Sequence, residues 1–249
     1  MKWIYLSPHL DDAIYSCGGL IWEQTQSGQE VEIWTVCAAD PPEDQFSPFA
    51  ESLHQNWGLG EDVIKIRREE DRDACQILGA LPLYLSYLDC IYRKATRGDF
   101  YYQSDQELFG GLDPGELTLI DSLMGQLQDL LPLDAQVVAP LGIGNHVDHE
   151  LTRKAASRLE VPLYYYADYP YARDVEGKET LAFLSGSADW DGEIFPVSKA
   201  GILQWGEAAR TYQSQTSIFW KDESALKEEI SEFSAAMGGV RLWKTVEND

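Results

Sequence analysis

The sequence predicts an α/β fold: a Rossmann-like, mostly parallel sheet flanked by helices on both faces. Two observations carry this. The first third alternates short apolar runs with longer helical runs that stop at Gly28 and Gly79, the rhythm of strands joined by crossover helices. Two histidine-and-carboxylate stretches, Ser7-Pro8-His9-Leu10-Asp11-Asp12 and Gly144-Asn145-His146-Val147-Asp148-His149, each fall where a predicted strand gives way to a helix. In open α/β sheets that is the rim where ligands bind.

Taken in order, Trp3–Leu6 reads as a buried strand and Asp12–Ser27 as a helix. Val31–Val36 is a second strand, Pro41–Pro48 a turn-rich loop and Ala50–Trp57 a helix. Val63–Ile66 is strand-like, Glu69–Leu78 helical, and Leu83–Leu88 a further strand. Residues 92–116 show no clear period and read as a long loop, a lid or a subunit contact. Leu117–Leu131 is a helix stopped by Pro132; Gln136–Pro140 is a strand, Asp148–Leu159 a helix and Val161–Tyr166 a strand. Residues 173–192 read as loop before a polar strand over Glu193–Val197, and Ser198–Tyr212 and Glu223–Ala236 as closing helices. With no repeat or linker, residues 1–249 read as one domain, with a motif-bearing core over 3–216 and a helical segment over 217–249.

Composition narrows the function. Nineteen basic residues against 42 acidic ones give a net charge of −23, which opposes nucleic acid and anionic membrane surfaces. No stretch approaches the roughly 18 apolar residues of a membrane span, and the N-terminal apolar run is too short for a signal peptide. Cys17, Cys37, Cys75 and Cys90 lack CxxC spacing and read as buried thiols of a cytoplasmic protein. A small-molecule substrate fits best, with no membrane insertion; the chain can also form a homo-oligomer.

Three of the four histidines fall in the two motifs, with the fourth, His54, reading as a solvated helix residue. His9 and Asp12 straddle one strand-to-helix turn, and His149 lies three residues past His146 at the next. A mononuclear metal on His9, Asp12 and His149 keeps open positions for water and a carbonyl, the catalytic pattern of zinc. Asp11 is then free as general base, His146 faces the developing oxyanion or the leaving amine, and Asp148 accepts a hydrogen bond from an imidazole. Iron, cobalt or manganese suit the same ligands. Taken singly, each motif has a plainer reading, since Asp-Asp after a strand also caps helices and His-x-x-His is often surface polarity.

These motifs resemble those of the LmbE/PIG-L group of zinc-dependent N-acetylglucosamine deacetylases, here as His9-Leu10-Asp11-Asp12-Ala13 and His146-Val147-Asp148-His149. Arg67-Arg68-Glu69-Glu70 resembles the group's Arg-x-x-Glu helix, and Lys199 with Tyr212-Gln213-Ser214-Gln215 its closing Lys…Tyr-x-Ser-Gln element. The resemblance implies zinc on His9, Asp12 and His149, Asp11 as base and His146 as stabiliser of the tetrahedral intermediate. It further implies that Arg67, with Arg68 as the fallback, and Asp89 bind the sugar. Leu10 and Val147 replace prolines of the group's motifs and Ala13 replaces a glutamate, leaving every ligand in place. The plain alternatives are a helix-start pair of Arg67 with Glu70, and a turn role for Asp89. Two other functions remain open: a metal-dependent hydrolase of another amide, ester or phosphoester, and a non-catalytic sugar- or metal-binding protein of the same fold.

Two further features have double readings. Tyr164–Tyr171 is a buried strand end or an aromatic platform, with Tyr169 and Tyr171 the pocket candidates, and Gly18-Gly19 permits close helix–sheet packing.

Overall fold

Apolar side chains on both faces of the central strands dictate a sheet that must be covered twice. The computed structural model describes residues 2–42, 46–59 and 62–246. It places β1 (Lys2–Ser7), α1 (Asp12–Gln26), β2 (Glu30–Thr35), α2 (Pro48–Asn56), α3 (Val63–Leu78) and β3 (Leu81–Tyr84) in the first third. After two short 3-10 turns and a single helical turn α4 (Asp105–Leu108) come α5 (Leu117–Leu130), β4 (Ala135–Pro140), α6 (Val147–Ala156) and β5 (Leu163–Tyr166). The last third holds α7 (Val175–Gly186), β6 (Trp190–Phe195), α8 (Lys199–Ala209), α9 (Gln213–Phe219), α10 (Glu223–Met237) and β7 (Val240–Thr245).

The seven strands run in the order β3-β2-β1-β4-β5-β7-β6. The first five are mutually parallel, whereas β7 pairs antiparallel with both β5 and β6. Alternation along β1 divides the interior: Trp3 and Tyr5 enter a core with α1, α3, α8 and α10, while Ile4 and Leu6 enter one with α5, α6 and α7. The chain winds one way from β1 to β3 and resumes on the other side of β1 with β4. The crevice at that reversal opens between the carboxyl ends of β1 and β4, and those ends carry the two motifs.

Several expectations need correction. Val63–Ile66 is the first turn of α3, not a strand. Residues 173–192 contain α7 and the start of β6, and the segment over 217–249 is not only helical, because Val240–Thr245 re-enters the sheet as β7. The 92–116 excursion includes α4 and the 3-10 turn Pro114–Glu116. Residues 43–45 of the predicted Pro41–Pro48 loop lie outside the described residues.

Gly18 and Gly19 serve helix–helix rather than helix–sheet packing. A Cβ at Gly18 would lie 2.5 Å from Trp205 Cδ1, so only glycine lets α8 press its indole onto α1, where Trp205 Nε1 donates to the Ile14 carbonyl at 2.7 Å. All four cysteines are buried free thiols. No helix among the described residues is long and apolar enough to cross a membrane.

Candidate functional site

The end of β1 presents His9, Asp11 and Asp12, and the end of β4 presents His146, Asp148 and His149. All six are buried. The Asp-Asp pair is not a simple cap: Asp11 stands at the N-cap of α1 but makes no capping hydrogen bond. Ser7 Oγ takes the Ala13 amide instead, at 3.0 Å. The Asp11 carboxylate therefore turns outward, 3.5 Å from Arg67 Nη2.

His9 Nδ1 and His149 Nε2 approach the same oxygen, Asp12 Oδ2, at 3.2 and 3.3 Å. The buried Nε2 of His149 nevertheless has no hydrogen-bond partner, an orphan that calls for an explanation. The opposite ring nitrogens are held by other carboxylates: His9 Nε2 meets Asp148 Oδ2 at 3.0 Å, and His149 Nδ1 meets Asp168 Oδ1 at 2.7 Å. Such carboxylate–imidazole pairs orient rings for metal binding by fixing which nitrogen is free. The ligand nitrogens of His9, His146 and His149 also lie within 4.8 Å of one another. This donor set fits a divalent metal of the zinc class.

His146 differs from the other two. As N-cap of α6 it accepts the Asp148 amide on Nδ1 at 3.2 Å, which assigns the proton of the neutral ring to Nε2. Burial, with His9 and His149 nearby, holds it well below the usual histidine pKa, hence neutral. Burial opposes charge on His149 also, but Asp12 and Asp168 outweigh it and carry its pKa to about 9. Burial, and then Asp12, lift Asp11 to about 7 against the opposing pull of Arg67. The centre therefore favours positive charge at His9, Asp12 and His149, with a proton-accepting carboxylate beside it.

A cavity of about 270 Å³ opens onto His9, Asp11, Asp12 and His146. Arg67, from α3, reaches it with its guanidinium 5.2 Å from the Trp57 ring centre. Arg67 does not pair with Glu70, which binds Ser214 through both carboxylate oxygens at 3.0 and 2.6 Å. Arg68 faces away, to Asp40 and the Ala38 carbonyl. Asp89 caps a 3-10 turn through the Ile91 amide at 3.2 Å and also lines the cavity, 3.9 Å from His9 Nε2. Asp148, by contrast, is fully buried and lies behind His9 rather than in the cavity.

Tyr171 reaches the site; Tyr169 does not, packing instead on Trp220 and Phe233. Gly144 makes this possible, since a Cβ there would lie 2.9 Å from Tyr171 Cγ. Leu108 and Phe109 of the 92–116 excursion form another wall, with Phe109 edge-on to His146 at 5.4 Å. His54 is buried rather than solvated, 2.6 Å from the Tyr92 hydroxyl. Sequence reasoning missed Asp168, Arg93 and Glu116. For Asp168 a signal existed, a carboxylate just past β5 on the rim where both motifs end.

Comparison with known proteins bears directly on this constellation. The family model PIG-L, described as GlcNAc-PI de-N-acetylase, matches residues 4–159, taking in both motifs. The chain belongs to the PIG-L family. A 2'-N-acetylparomamine deacetylase of Niallia circulans is 28% identical over 254 residues, covering 89% of this chain and 90% of that protein. Among solved structures, a deacetylase–bog complex from the teicoplanin biosynthesis pathway is 28% identical with a TM-score of 0.79, covering 100% of this chain and 99% of the other. The zinc-inhibited form of a teicoplanin deacetylase is 25% identical with a TM-score of 0.76, both chains being covered in full.

Proposed function

We propose that this PIG-L chain is a metal-dependent N-deacetylase that removes the acetyl group from an N-acetylated amino sugar or its conjugate, acting as one domain over residues 1–249. The observation that carries the reading is the convergence of His9 Nδ1 and His149 Nε2 on Asp12 Oδ2 at 3.2 and 3.3 Å, with both outer nitrogens held by carboxylates. The deacetylase names of the relatives support it.

His9, Asp12 and His149 would hold zinc, or iron, cobalt or manganese. The bound cation supplies a Lewis acid that polarises an amide carbonyl and acidifies water. Asp11 takes the proton from the attacking water, as a buried carboxylate lifted towards neutrality suits. His146, neutral, presents Nε2–H as a hydrogen bond to the oxyanion, and the proton that Asp11 took from the water passes to the leaving nitrogen. Asp148 and Asp168 act through His9 and His149, keeping the proton on the outer nitrogen and the inner one free as a ligand. Arg67 and Asp89, on the cavity wall, bind sugar hydroxyls. Collapse releases acetate and a free amine.

The test is amine release from N-acetylglucosamine conjugates, with and without chelator, beside a generic phosphoester. Chelator-sensitive amine release with an inert phosphoester supports the reading. Phosphoester turnover, or no release from any N-acyl sugar, rejects it.

A further inference from the structure

We propose that Arg93, clamped by Glu116, is a positioning residue that fixes His9 and the 93–116 wall of the cavity as one unit. Arg93 follows the 3-10 turn Cys90–Tyr92, and Glu116 ends the excursion just before α5. Arg93 Nε and Nη2 donate to the two Glu116 oxygens at 2.6 and 3.0 Å, stapling the ends of the excursion together. The remaining arm, Nη1, donates to Asp148 Oδ1. Asp148 turns its other oxygen to His9 Nε2 and to the Cys90 amide, each at 3.0 Å. Tyr102, from inside the excursion, donates its hydroxyl to Glu116 at 2.7 Å and accepts the Asp113 amide at 2.9 Å.

Arg93, Glu116, Asp148 and Tyr102 are all buried. Only a planar guanidinium can bind one carboxylate with two nitrogens and still offer a third in a fixed direction; an ammonium is a point charge without that fork. The staple thus serves two ends. It orients Asp148, so that His9 Nε2 stays held by a carboxylate and Nδ1 faces Asp12, and it anchors the segment carrying Leu108 and Phe109 against the cavity. The metal-affinity consequence rests on the proposed metal centre, whereas the His9 Nε2–Asp148 hydrogen bond does not.

The experiment compares the full-length protein with Arg93→Lys and Glu116→Gln, each checked for folding by circular dichroism. Imidazole NMR on the metal-free protein reads how well the His9 Nε2 proton is held against exchange by Asp148, and chelator competition reads zinc affinity. Expected results are a slowly exchanging His9 Nε2 proton in the parent, a fast-exchanging one in both variants, and zinc binding weakened about 10- to 100-fold, the range for outer partners of metal ligands. Trypsin cleavage after Lys94 and Arg97 should also quicken. If Arg93→Lys does not fold, Glu116→Gln alone decides. Folded variants that keep the parental protection of the His9 Nε2 proton overturn the proposal, as does parental zinc affinity. Should the parent itself bind no zinc, the metal reading falls, and the proton-exchange comparison still decides the staple.

Discussion

Replacing Asp168 by Asn tests the centre through a residue that touches neither metal nor substrate. Asp168 is 1% exposed and accepts two hydrogen bonds, from His149 Nδ1 at 2.7 Å and from the Ile143 amide at 2.9 Å. An amide of the same shape has one acceptor oxygen, so one of the two donors must face an NH2 group. If the oxygen stays on Ile143, His149 loses its acceptor and moves its proton to Nε2, the nitrogen needed for the metal. If the amide flips, the Ile143 amide is orphaned at the base of the second motif. The loss is one hydrogen bond to a charged group, roughly 1.5–3 kcal/mol. At about 1.4 kcal/mol per tenfold, that predicts zinc binding weakened roughly 10- to 150-fold, overlapping the usual effect of such outer partners. Chelator competition on parent and variant measures it, with melting curves of both metal-free proteins confirming the fold. A folded variant within twofold of parental zinc affinity would refute the claim that Asp168 prepares His149 as a ligand.

Three other outcomes follow from the same geometry. Asp11→Asn should keep its zinc yet lose amine release by at least about 10²-fold, the scale of a lost general base; metal and product assays on one preparation decide. His146→Ala should likewise retain metal while kcat falls about 10²- to 10³-fold, and loss of the metal instead would make His146 a ligand in place of Asp12. Gly18→Ala gains about 1 kcal/mol of helix propensity, but overlap with Trp205 at 2.5 Å costs about 1–3 kcal/mol. A lower Tm is expected, and an unchanged or higher one would show that α8 yields freely.

Both motifs and the strands feeding them were legible because β1 and β4 carry short apolar runs, Trp3–Leu6 and Val137–Ala139, with a histidine-and-carboxylate stretch a few residues beyond each. Chain legibility failed where the site itself edits the pattern. The inner face of α3 carries Val63, Ile64, Arg67, Asp71, Ala74, Cys75 and Leu78, a helical period with two charged members. Reading polarity as exposure cut that helix at Ile66. Asp71 is buried because Tyr84 and Tyr212 donate to it at 2.9 and 2.7 Å, contacts that no local window contains. His54 misled for the same reason, its partner being Tyr92. α7 was invisible because its described side chains are mostly exposed, with only Gly177 and Leu184 buried, leaving almost no periodicity to detect. Arg67 and Asp89 entered through resemblance; the structure puts both on the cavity wall, while Arg93, Glu116 and Asp168 needed the fold to bring distant segments together.

The central claim is that one metal sits between β1 and β4 on His9, Asp12 and His149. An anomalous difference map at the zinc edge, from crystals of the zinc-loaded protein, tests it most directly. A single peak about 2.0–2.2 Å from His9 Nδ1, His149 Nε2 and an Asp12 oxygen is predicted. A peak elsewhere, such as at the buried Cys90, His146 and Asp148 group, or no peak at all, would contradict it.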